Sequence, residues 1–203
     1  MHLLALVAAA VVAWALGKTR ARAAACGAGF VVGLLVAFGL PEIPPHSSAD
    51  VRPWIGLLSP LAATLPGAVV LGLAMPLAVF WRLVGRWSVS HLIAWLAANA
   101  AVTVALRRAD PRSLALSSAV LAACLAATGS VMLGLEAAVL AACAWRGRGA
   151  VLYAMVLLSG VLLSELGFWA LPLAVLPLVP RWWAPAVLLP PALIWAGWGL
   201  SAL

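Results

Sequence analysis

Charge is what this sequence lacks. Lys, Arg, Asp and Glu make up only 8% of its 203 residues, where soluble domains carry roughly a quarter. So few charges cannot cover a water-facing surface, which excludes an ordinary soluble domain. Acids are scarcest, five against twelve bases, giving a net charge of +7. Paired cysteines are missing too. Cys26, Cys124 and Cys143 are odd in number, lie in or beside apolar runs and form no CxxC. They read as free thiols packed like small hydrophobes, not as disulfides or metal ligands. The sequence has no HExxH, GxSxG or P-loop string and no adjacent acid pair in an apolar run. Those absences argue against an enzyme. Nothing calls for a cofactor or metal. No basic patch is interleaved with aromatics, so nucleic acid is not an expected partner.

What is present is apolar: 67% of residues are hydrophobic, and mean hydropathy is +1.17. The apolar runs are continuous rather than alternating, which favours helices over a β-barrel. A crossing takes roughly 20 apolar residues for a core of about 30 Å. The expected fold is all-α, a polytopic transmembrane bundle of seven to ten membrane segments, forming one integral membrane domain over 1–203. Arginine outnumbers lysine eleven to one, and Ala, Gly and Pro abound. That bias is usual in GC-rich bacteria, so a bacterial inner membrane is the expected location.

The first run, 1–16, has no basic residue ahead of it, whereas Lys18, Arg20 and Arg22 follow. A signal peptide carries its positive charge first. The segment therefore reads as a retained helix with its N-terminus outside. A second run covers 24–40, and 41–54 (PEIPPHSSADVRPW) is the longest polar stretch. It is expected to be an extracytoplasmic loop, its prolines opposing a helix through most of it. Pro60, Pro66 and Pro76 interrupt 55–81, predicting a kinked or broken helix. A further span covers 88–106.

Two runs, 113–145 and 150–180, are too long for one crossing. Each is either a tilted, protruding helix or a hairpin of short ones. Gly129-Ser130 is a candidate turn in the first, and Gly167, Pro172 and Pro177 in the second. If every run crosses once, seven basic residues fall inside and five outside. If 55–81 doubles back and both long runs are hairpins, the division is nine to three. The second count better fits the excess of cytoplasmic Lys and Arg, at the cost of short helices. Trp54, Trp81, Trp87, Trp145, Trp182 and Trp183 sit at run ends, as membrane-interface anchors do.

Candidate sites are few. Glu136 and Glu165 fall inside apolar runs, where a charge costs about 2.5–3.5 kcal/mol at the bilayer centre. They are candidate proton or cation sites, or else packing partners. Glu165 stands mid-run and is expected to be the more enclosed. His91, Trp95, Asn99 and Thr103 follow at i+4 steps on one helical stripe, the pattern of an interhelical contact. His91 and Asn99 should therefore face protein. Gly29 and Gly33 form a GxxxG unit suited to close helix packing. His46, Glu42 and Asp50 match no known metal loop and read as a solvated turn. The expected function is a non-catalytic structural or accessory membrane protein. The alternative is a small transporter or channel using intramembrane carboxylates. Expected partners are the lipid bilayer and either another membrane protein or a second copy of the chain.

Overall fold

The computed structural model describes residues 2–19, 24–79, 88–145, 149–163 and 172–179. Every regular element among them is helical: α1 (His2–Gly17), α2 (Ala25–Phe38), α3 (Ser48–Leu58), a 3-10 turn (Ser59–Ala63), α4 (Leu65–Val79), α5 (Val89–Leu106), α6 (Pro111–Ala127), α7 (Val131–Ala144), α8 (Ala150–Leu163) and a 3-10 turn at Leu176–Leu178.

Local chemistry explains several boundaries. Asp110 caps α6 by accepting from the amides of Arg112 and Ser113, each at 3.1 Å. Pro111 follows in the first helical position, where its missing N–H costs nothing. At the other end Gly129 adopts φ +76. The Ser130 amide then donates to Leu125 O and the Gly129 amide to Ala126 O, a Schellman closure that glycine permits. The run 113–145 is therefore the hairpin α6–α7, turned at Gly129-Ser130. The run 55–81 breaks at the 3-10 turn containing Pro60 and restarts as α4. The third long run doubles back as well, because the Tyr153 hydroxyl, in the first turn of α8, donates to Leu173 O at 2.7 Å.

One expectation needs correction here. Helix α3 begins at Ser48, so the stretch 41–54 is loop only through Ser47. The Asp50 carboxylate accepts from the Ser47 amide and hydroxyl, both at 2.8 Å, and from the amides of Glu42 and His46 at 3.1 and 3.2 Å. Those bonds cap the helix and gather the loop around its first turn. Pro53 sits inside α3.

The helices run between two ends. At one, residues 38–41, 49–53, 129–133 and Leu163 surround a common cavity. At the other, Gly149 packs against Cys26, Leu114 and Leu140, and Trp14, Arg112, Ala142 and Trp145 share a recess. Lys18 lies over the Trp14 ring, 3.4 Å from its centre, at this same end. Lys18, Arg107, Arg108 and Arg112 thus belong to one end and Arg52 to the other, the sorting expected when 55–81 and 113–145 both double back. Arg20, Arg22, Arg82, Arg86, Arg146, Arg148 and Arg181 lie outside the described residues.

On α1 the usual order of large side chains inside and small ones outside is reversed. Along α1, Ala5, Ala9 and Ala13 are buried, while Leu3 is 74% exposed and Val7, Val11 and Trp14 are about half exposed. The alanine stripe meets the GxxxG of α2. A Cβ on Gly29 would stand 2.6 Å from Ala9 O, and one on Gly33 would stand 3.0 Å from the Ala9 Cβ. Glycine is required for that approach. Helix α8 is enclosed on every side, since all residues from Ala150 to Val161 are buried, as expected of a helix apolar all round.

Val89–Leu106 is the one helix among the described residues long and apolar enough to cross a membrane by itself. Six other apolar helices have 14–17 residues.

Candidate functional site

The cavity at the first end measures about 600 Å³. Helices α2, α3, α7 and α8 and the loops beside them build its wall. Most of that wall is apolar, including Leu34, Phe38, Met132, Leu133 and Leu163. Three charged residues break it, Asp50, Arg52 and Glu136, and the last two form a pair. Arg52 comes from the second turn of α3, and Glu136 projects from the second turn of α7. Arg52 Nη1 donates to Glu136 Oε1, and the residues are 4% and 3% exposed. The pair joins segments 84 residues apart.

A buried pair of this kind contributes little net stability, because desolvation offsets the attraction. Removing one member is another matter, costing about 3–5 kcal/mol by stranding a bare charge. Two atoms of the pair lack partners among the described residues: Arg52 Nε, a donor, and Glu136 Oε2, an acceptor. Unmet hydrogen bonds at buried polar atoms cost about 1–3 kcal/mol each. Asp50 also lines the cavity. Its carboxyl is held below the ordinary carboxylate range, first by the Ser47 hydroxyl and then by the Glu42 amide.

The predicted candidates separate. Glu136 is at the cavity, with a partner that the sequence reading did not assign. Glu165 lies outside the described residues, so its enclosure is not described. Asn99 is buried, and its Nδ2 donates to Gly72 O at 2.6 Å. Gly72 allows that contact, since its Cβ would stand 2.6 Å from the Ala100 Cα. Thr103, one turn on, is fully buried.

His91 departs from expectation. It is exposed, and its Nδ1 shares a 2.6 Å hydrogen bond with the Ser88 hydroxyl. The i+4 stripe begins outside the helix contact because the first turn of α5 is engaged in capping: Ser88 Oγ also accepts from the His91 amide. His91 and Asn99 therefore do not meet at one site, and neither lines the Glu136 cavity.

Two other buried hydroxyls bond locally, whereas Thr103 Oγ1 has no hydrogen-bond partner among the described residues. Ser118 and Ser159 donate to carbonyls one turn back, Leu114 O and Met155 O, each at 2.8 Å. Away from the cavity, Cys26 and Cys143 bring their Sγ atoms to 3.6 Å. The sequence reading treated these thiols separately. No cluster of three or more His, Cys, Asp or Glu suited to a metal occurs among the described residues.

Comparison of the chain with protein-family models, with curated proteins and with solved structures finds no match.

Proposed function

We propose that this chain is a polytopic, non-catalytic membrane protein of the bacterial inner membrane, acting as a structural or accessory component. The observation that carries the reading is the inversion on α1, with alanines buried and Leu3, Val7, Val11 and Trp14 turned outward. Helix α4 also exposes a row of large apolar side chains, Leu65, Val69, Leu73 and Leu77, while burying Leu71, Met75 and Val79 on its other side. Water penalises such faces and lipid does not. Helices of 14–17 residues are about 21–26 Å long at 1.5 Å per residue. A core of about 30 Å accommodates them by local thinning and by snorkelling of flanking residues. The exposed Trp54 and Trp145 suit the interfaces. Lys18, Arg107, Arg108 and Arg112 then mark the cytoplasmic end, and the cavity opens outside.

The non-catalytic part of the reading rests on how polar side chains are used. Asn99, Ser118, Tyr153 and Ser159 all bond to backbone carbonyls in dry contacts. A small transporter remains the second reading. One observation favours it: the Arg52–Glu136 pair lining the outer-end cavity.

Two experiments test the membrane reading. After alkaline carbonate washing the chain should stay in the membrane pellet; release into the supernatant contradicts it. In a background with Cys26, Cys124 and Cys143 replaced, Ser47→Cys should react with an impermeant thiol reagent in intact cells. Arg108→Cys should react only after lysis, and the opposite pattern inverts the topology.

A further inference from the structure

We infer that the cavity of Arg52 and Glu136 is a binding site for a small uncharged amphiphile whose head carries one hydrogen-bond donor and one acceptor. The volume of about 600 Å³ falls within the range of small-molecule sites, roughly 300–1,000 Å³. The walls supplied by Leu34, Phe38, Met132, Leu133 and Leu163 suit an apolar tail. The head is constrained by the ion pair. Arg52 and Glu136 neutralise one another, so a charged head seated at the buried pair adds a charge that neither residue compensates. A guest with no net charge avoids that cost.

The pair also sets the pattern of the head. Arg52 Nε has a proton to donate and nothing to receive it, and Glu136 Oε2 can accept and has no donor. The complement is a group that accepts from the first and donates to the second while the Nη1–Oε1 bond stays intact. A primary amide or a hydroxyl has that pattern. Both atoms are closed off as the pair stands, so a small rotation of the Arg52 side chain admits the head. Asp50, the third charged group on the wall, does not compete, because Glu42, His46 and Ser47 already engage its carboxylate.

The test uses the full chain in lipid nanodiscs, with saturable binding read by ligand-detected NMR. Hexanamide is the probe, compared with N,N-dimethylhexanamide, hexanoate and hexylammonium. Hexanamide should bind saturably. The dimethyl analogue, which keeps the acceptor and loses the donor, should bind about fivefold more weakly, the value of one hydrogen bond near 1 kcal/mol. Both charged analogues should be weaker still. Leu163→Trp narrows the cavity without touching the pair and should abolish hexanamide binding. Equal binding of all four probes, or unchanged binding in the Leu163→Trp protein, marks partition into lipid and overturns the proposal. Absence of saturable hexanamide binding overturns it too, leaving the two orphan atoms to water alone. The probe series on the unaltered chain decides the matter even where the variant fails to fold.

Discussion

Helices α2 and α7 meet twice, and the two meetings differ. At the basic end Cys26 and Cys143 stand with their sulfurs 3.6 Å apart, and a Cβ on Gly29 would come within 2.9 Å of the Cys143 Cβ. Gly33 faces Val139 further along. Toward the opposite end the side chains enlarge to Leu34 and Phe38 on one helix and Glu136 and Met132 on the other, and a cavity stands between them. Small residues close one end; large residues and a charged pair hold the other open. On the proposed membrane reading no hydrophobic drive pulls the helices together, and side-chain size and hydrogen bonds set how closely they pack.

The largest way to break this comparison is at the charged pair. Glu136→Leu strands Arg52 and should cost about 3–5 kcal/mol, read from denaturant-induced unfolding in mixed micelles. A loss below about 1 kcal/mol places the pair in water instead. Next comes the tight contact. Gly29→Ala drives a Cβ toward Ala9 O at 2.6 Å and should cost about 1–3 kcal/mol by overpacking. Met132→Ala, at an exposed position on the cavity wall, should stay within about 0.5 kcal/mol. Similar costs at both positions abolish the distinction between closed and open ends.

A smaller effect is expected at Asn99. Asn99→Leu removes the bond to Gly72 O and should cost about 1 kcal/mol, seen as a lowered unfolding midpoint. A neutral result removes the α4–α5 staple from the account.

The smallest effect is pH-dependent. The Asp50 pKa is depressed in the folded protein, so its contribution is present above the ordinary carboxylate value. That contribution is lost as pH falls through that value toward the folded one. The protection of the Glu42, His46 and Ser47 amides against deuterium exchange, taken relative to the intrinsic rate at each pH, should fall below about pH 4. Asp50→Asn should exchange fast already at neutral pH. Protection that persists in that variant denies Asp50 its role in gathering the loop.

Local signals in the sequence carried much of the fold. Gly129-Ser130 marks the α6–α7 turn because a Schellman closure needs a residue that tolerates positive φ. Gly29 and Gly33 mark a close helix contact because an added Cβ collides there. Ser47-x-x-Asp50 matches the helix-start pattern, yet the prolines around it pointed to loop, and α3 was missed. His91 was misplaced because the i+4 rule describes a helix face and is silent on whether its first turn reaches a neighbour. The site was the least legible part. Arg52 falls in the stretch read as loop, and Glu136 was a candidate ion site or packing partner with no partner named, since a partner 84 residues away leaves no trace in local periodicity. Even so, a lone acid in an apolar run needs a partner, and Arg52 is the only basic residue in 41–54.

The direct test of the charged, open end is a double-mutant cycle between Arg52 and Glu136, using Arg52→Leu, Glu136→Leu and the double variant. A buried, mutually dependent pair predicts that each single change destabilises by about 3–5 kcal/mol and that the double variant regains most of the loss, because two apolar side chains can replace a buried pair nearly neutrally. Additive losses contradict it: the two side chains would then be acting independently, and the open end would not be held by this pair.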